Sequence, residues 1–194
     1  MVKLIGKEKI SCAVFISGRG TNLKSIFEYS KKKNSRINLK LVISNRSEAL
    51  GINFAKNNKI DCKIINYKNT KKAEKQIFSH LEKYKIKFIF LAGFMKILSK
   101  SFIKKFKNKI INIHPSLLPK YKGLNTHKRV IQNKEKFSGC TVHFVNERLD
   151  SGKIIIQKKI KVLKLDTAKS LAKKILKEEN KIYPIAINKV LSKI

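Results

Sequence analysis

The stretch Cys12-Ala13-Val14-Phe15-Ile16-Ser17-Gly18-Arg19-Gly20-Thr21-Asn22 decides the fold. An unbroken apolar run closed by a glycine-rich turn reads as a strand over 9–17, buried on both faces. Thr21 or Asn22 can cap the helix that follows, with Leu23, Ile26, Phe27 and Tyr29 facing inward. The same alternation continues downstream. Strands are expected at 39–44, 62–66 and 88–92, with helices at 47–57 and 70–84 between them. The rhythm then shortens. A brief strand at 110–113 leads into a loop bracketed by Pro115 and Pro119, which regular helix does not tolerate. A helix at 125–132, two strands at 139–145 and 153–162, and an amphipathic helix at 167–180 complete the order. Pro184 is expected to interrupt or kink that last helix. Such an order predicts an α/β domain with a mainly parallel sheet, whose ligands sit at the carboxyl ends of the strands.

Composition narrows the class. The 194 residues suit one domain, and 42% hydrophobic residues suffice for a core. Cys12, Cys62 and Cys140 are isolated, with no metal-ligand spacing, which argues for a reducing compartment and against a zinc site. No apolar run is long enough to span a membrane and no secretory leader is visible, so a cytoplasmic protein is expected. The net charge is +34, and only five of the 46 basic residues are arginines. The lysines are scattered along the chain amid abundant Asn and Ile. That pattern matches compositional drift better than a nucleic-acid interface, which concentrates Arg and interleaves aromatics.

Four segments could carry chemistry. The Gly18–Asn22 turn can present backbone N–H groups to a phosphate, or can simply be a tight strand-to-helix connection. Asn112 and His114 are two apart on a strand and project to one side, where an amide and an imidazole can polarise a carbonyl and move a proton. Asp150 precedes Ser151-Gly152, a common turn, and would orient His114 if the loop folds against it. Leu91-Ala92-Gly93-Phe94-Met95-Lys96-Ile97-Leu98 ends a strand in an apolar loop where a flat heterocycle could lie.

Together the texts SGRGTNL, LAGFMKILS, INIHPSLLPKYKGLNTHKRV and GCTVHFVNERLDSGKIIIQ resemble the phosphoribosylglycinamide formyltransferase family, in order and spacing, over essentially the whole chain. The resemblance implies a single-domain Rossmann-like formyltransferase fold over residues 1–194, with helices on both faces of the sheet. It implies transfer of a formyl group from 10-formyltetrahydrofolate to phosphoribosylglycinamide in purine synthesis, without a metal. Asn112, His114 and Asp150 then match the catalytic set. Gly20, Thr21 and Asn22 match the substrate-phosphate loop, and Glu179 a contact to the ribose. Met95, Lys96, Ile97 and Leu98, with Asn112, match the pterin pocket.

Some features depart from the family. Thr21 stands where Ser is usual, and residues 1–8 form an extra segment expected to be flexible. A basic residue approaching the folate could be Lys71 or Lys72. Two sister enzymes, methionyl-tRNA formyltransferase and formyltetrahydrofolate deformylase, carry additional domains for which the chain leaves no room. The expected partners are the two small substrates, with no specific nucleic acid and no membrane, in a monomer or homodimer.

Overall fold

A computed structural model describes residues 8–194. The elements are β1 (Ile10–Ile16), α1 (Thr21–Ser30), β2 (Ile37–Ser44), α2 (Leu50–Asn57), β3 (Asp61–Ile64), α3 (Thr70–Lys83) and β4 (Phe88–Leu91). They continue with α4 (Lys100–Lys105), β5 (Ile110–His114), α5 (Thr126–Gln132), β6 (Phe137–Phe144), β7 (Ile154–Lys161) and α6 (Ala168–Leu191). Among the described residues the sheet has seven strands in the order β3-β2-β1-β4-β5-β6-β7. The pairs from β3 to β5 are parallel, whereas β5–β6 and β6–β7 are antiparallel.

The alternation of β1 explains why both faces are covered. Cys12, Val14 and Ile16 enter one core with Leu23 and Ile26 of α1, Ala55 of α2 and the buried face of α6. Ala13 and Phe15 enter a second core with Ala73, Ile77 and Leu81 of α3 and Phe102 of α4. Side chains two apart share a face and neighbours do not, so one strand feeds both cores. The chain leaves β1 toward β2 and β3, then returns to β4 on the other side. That reversal opens a crevice at the carboxyl ends of β1 and β4.

Three expectations need correction. The cap of α1 is Gly20, in the left-handed region at φ 74°, with no side-chain cap from Thr21 or Asn22. A Cβ on Gly20 would lie 2.7 Å from the Gly51 Cα, so only glycine lets the β1–α1 turn approach α2. Helix α4 was not expected, because six lysine-rich residues are too short to show a period. Pro184 does not interrupt α6, which runs unbroken through it. Tyr183, Ala186 and Ile187 around the proline are fully buried, and their packing outweighs one lost backbone hydrogen bond. The expected N-terminal extension lies outside the described residues, apart from an exposed Glu8.

Strand β7 lies at one edge of the sheet, and among the described residues it pairs with β6 alone. Lys158, Lys159 and Lys161 on it are exposed, and the Lys159 Nζ sits 3.8 Å from the centre of the Phe137 ring.

Candidate active site

The site is built where β4, β5 and β6 end. Asn112 and His114 occupy alternate positions of β5, and Asn112 is the register partner of His143 on β6. The Asn112 Nδ2 lies 3.3 Å from the His143 Nε2, while the His143 Nδ1 lies 2.8 Å from the Phe144 carbonyl oxygen. A carbonyl can only accept, so Nδ1 carries the proton and Nε2 accepts from Asn112. This fixes the amide and leaves its second N–H to face the cavity. Burial lowers the pKa of His143 below the usual histidine value, favouring the neutral ring this arrangement requires.

Asp150 closes over this pair from the β6–β7 connection. It adopts φ 46°, and its Oδ2 accepts from the Gly123 N–H at 2.8 Å. The same oxygen is 3.4 Å from the His114 Nδ1, and the Oδ1 is 3.8 Å from the His143 Nε2. His114 is anchored at its other nitrogen, where Nε2 donates to the Tyr121 carbonyl at 2.8 Å. Gly152 lets the loop lie down: a Cβ there would collide with the Phe144 carbonyl. Asn112, His114, His143 and Asp150 thereby line one cavity of about 640 Å³.

The wall of that cavity is the loop after β4. Met95 and Ile97 are exposed, at 61% and 74%, whereas Phe94 and Leu98 are buried. The Ser17 N–H donates to the Gly93 carbonyl at 3.1 Å, and the Met95 N–H donates to the Ser17 Oγ at 2.7 Å. The β1 turn is thus tied to the cavity wall. Asn22, in the first turn of α1, donates through Nδ2 to the Glu179 Oε2 at 2.8 Å, and its own Oδ1 is buried without a partner among the described residues. Burial pushes the Glu179 carboxyl up, and the Asn22 amide partly offsets this. One turn further along α6, the Tyr183 hydroxyl is shared between the Leu91 and Ile111 carbonyls at 3.0 and 2.9 Å. The helix therefore clamps β4 to β5 next to Asn112.

The formyl transferase family model matches residues 10–187. The chain belongs to the formyl transferase family. Its relatives include the human trifunctional purine biosynthetic protein adenosine-3, 40% identical over 189 residues, which cover 96% of this chain and 19% of that protein. The chain thus spans about a fifth of the length of the trifunctional relatives it matches. A phosphoribosylglycinamide formyltransferase of Haemophilus influenzae is 39% identical over 178 residues, covering 90% of this chain and 84% of that one. Crystal structures of phosphoribosylglycinamide formyltransferases are also similar. The one from Brucella melitensis has a TM-score of 0.89 at 36% identity, covering 94% of this chain and 95% of that one. The one from Bacillus halodurans has a TM-score of 0.90 at 32% identity, covering 94% and 96%.

Within this formyl transferase, Asn112, His114 and Asp150 meet around one cavity, and Met95, Lys96, Ile97 and Leu98 line the same space. Gly20, Thr21, Asn22 and Glu179 do not line it. They gather beside it, around the start of α1 and the buried Asn22–Glu179 contact. Lys71 and Lys72 sit in the first turn of α3 and do not reach the cavity, whose basic lining is Lys96, Lys128 and Arg148. The sequence reasoning missed His143 and His127. The signal for His143 is its place in the alternating β6 run, while its position opposite Asn112 shows only in the fold. His127 lines the cavity from α5, and its buried Nδ1 has no partner among the described residues. Among the described residues, no group of three or more His, Cys, Asp or Glu is arranged to hold a metal ion, and no helix is long and apolar enough to cross a membrane.

The histidines give the formyl transferase a pH-dependent stability. Burial lowers the pKa of both His127 and His143 from the usual 6.5. Below that value the unfolded chain binds more protons than the native one, so their contribution is present above 6.5 and lost as pH falls through the folded values. Glu179 acts oppositely, since its raised pKa withdraws stability as pH rises above 4.5. The histidine contribution is the part that falls on acidification below 6.5. The unfolding free energy from urea titration is expected to be lower at pH 5.5 than at pH 6.5, by at most about 1.4 kcal/mol per pH unit per histidine, and His143→Gln should flatten the slope.

Proposed function

We propose that this chain transfers the formyl group of 10-formyltetrahydrofolate to the glycyl amine of phosphoribosylglycinamide. What carries the reading is the meeting of a held amide, a histidine and a carboxylate beside an apolar loop that suits a pterin. Exposed Met95 and Ile97 would meet the flat faces of the heterocycle, and the backbone of 93–98 its polar edge. No step calls for a metal. The phosphate would rest on the first N–H groups of α1, which has no acidic residue in its first turn. The enzyme would act in the cytoplasm as a monomer or homodimer, with residues 1–194 as one formyltransferase domain.

The chemistry follows from the residues. The amine attacks the formyl carbon, forming a new C–N bond, and the carbonyl oxygen gains negative charge. The free N–H of Asn112 is aimed to donate to that oxygen, and His143 prevents the amide from turning away. The attacking nitrogen must lose a proton, and the folate nitrogen must gain one as its bond to carbon breaks. His114 and Asp150, 3.4 Å apart, form the pair between which a mobile proton can pass. The anchored Nε2 leaves Nδ1 as the ring nitrogen that works.

The deciding experiment offers phosphoribosylglycinamide, methionyl-tRNA and water as rival acceptors and follows the folate by absorbance. Turnover with the glycinamide alone is expected; turnover with tRNA or water alone would overturn the reading. A second measurement tests the phosphate site. Replacing Gly20 would disturb the packing of α1 on α2, so Asn22→Ala is the better probe. It keeps the backbone N–H groups but removes the amide that holds the Glu179 carboxylate beside them, and should raise the KM for phosphoribosylglycinamide about tenfold or more, the size of one hydrogen bond to a charged group, with little change in the folate KM. Equal rises in both would make the turn merely structural.

A further inference from the structure

Glu74 has no role in the chemistry above, yet it is a carboxylate only 5% exposed. It lies on α3, in the second core, and both of its oxygens are occupied. The Oε1 accepts from the Ser99 N–H at 2.7 Å and from the Tyr67 hydroxyl at 3.3 Å; the Oε2 accepts from the Ser99 hydroxyl at 2.5 Å. Ser99 is the residue at which the exposed wall of the cavity ends. Its Oγ accepts from the Phe102 N–H at 3.1 Å and so starts α4. Tyr67 reaches the same wall by another route. Its ring packs edge-on against Phe94, 5.6 Å between centres, and Phe94 also packs on Phe15 at 5.4 Å.

Between Gly93 and Ser99 the chain has no helix or strand to hold it, and its apolar tips Met95 and Ile97 face outward. It is fixed at two places. Ser17 holds the start through the Met95 N–H, and Glu74 holds the end. Burying a carboxylate is costly unless it is fully hydrogen-bonded. A neutral residue would fill the space at less cost, so the carboxylate is best accounted for by the segment it organises.

We infer that Glu74 is a positioning residue for donor binding. It sets the geometry of the 93–99 wall through Ser99 and Tyr67, and touches neither substrate. This rests on the functional reading above and specifies how the donor half of the site is held. Glu74→Gln keeps the volume and one acceptor oxygen, but presents an NH2 to the Ser99 hydroxyl. Ser99→Ala removes that hydroxyl and leaves the Ser99 N–H bond to Glu74.

The test is steady-state kinetics on both single variants and the double, with circular dichroism and thermal midpoints, and hydrogen exchange at the Met95–Ser99 amides. Each single variant is expected to raise the KM for 10-formyltetrahydrofolate about tenfold, the size of one charge-assisted hydrogen bond. The kcat and the KM for phosphoribosylglycinamide should stay within about twofold, the scale on which surface changes act. The double should cost less than the product of the two single changes, because both remove the contact between the Ser99 hydroxyl and Glu74. Amide exchange over 95–99 should quicken while that of β1 does not. If Glu74→Gln unfolds, Ser99→Ala, at a half-buried surface position, carries the test alone. An unchanged donor KM, or equal rises for both substrates, overturns the positioning role. A wild-type protein without formyl transfer overturns the functional reading instead, and the exchange data then still decide whether Glu74 holds the wall.

Discussion

Asp150→Asn is expected to turn over at least about 100-fold more slowly than the wild type, the usual loss of a general acid–base group, with little change in folate binding. The substitution keeps the shape of the side chain. An amide oxygen can still accept from the Gly123 N–H, as the Oδ2 does at 2.8 Å, so the loop should stay in place. What disappears is the charge 3.4 Å from the His114 Nδ1 and the ability to take a proton. His114→Ala should cost a similar order in kcat. The double variant should lose less than the product of the two, since the pair acts as a unit. Steady-state kinetics on the three variants, each shown by circular dichroism to be folded, make the measurement. A folded Asp150→Asn protein with near-wild-type kcat would remove the carboxylate from the mechanism.

Asn112→Ala should lower kcat by about 10²- to 10³-fold, the range for losing one oxyanion donor. Two consequences add to each other. The N–H aimed at the developing oxygen charge is gone, and the His143 Nε2 loses its donor at 3.3 Å. His143 is 2% exposed, so its unprotonated Nε2 would be left buried without a donor, and the Asp150 Oδ1 at 3.8 Å, itself an acceptor, cannot replace the amide. The turn proposed to hold the phosphate does not line the cavity, and the KM for phosphoribosylglycinamide should change little. His143→Gln, which can still accept from Asn112, should retain more activity than Asn112→Ala. The opposite order would mean that the amide is not held by the imidazole.

The fold was largely visible in the chain because its strands are short apolar runs punctuated by glycine and proline. The β1 run and the turn after it were enough to predict a buried parallel strand and the helix that follows. Element ends were less visible. Whether Gly20 or Thr21 caps α1 depends on the approach of Gly51 from another helix, a contact that no local pattern contains. Pro184 misled for the same reason: the packing of Tyr183 and Ile187 decides whether the helix survives, and that packing comes from distant strands. At the site, Asn112 and His114 could be paired from their spacing, because a strand places alternate residues together. His143 could not, since its partnership with Asn112 is set by antiparallel register across a long connection. Glu74 was invisible for a further reason. In the sequence it is one charged residue among the many lysines of α3, and only the fold shows that this position faces inward.

The lysines on β7 bear on how the protein behaves in concentrated solution. An open strand edge is a template for another strand, and like charges along it discourage that pairing. Lys158, Lys159 and Lys161 stand on this edge, and the chain as a whole carries +34. Chemical treatments that differ only in charge should therefore part ways. Reductive methylation keeps each ammonium and should leave the protein dispersed. Acetylation neutralises the same side chains and should let the edges meet, so that light scattering rises with the degree of modification. The lysines of β7 thus act as a shield for one open edge of the sheet.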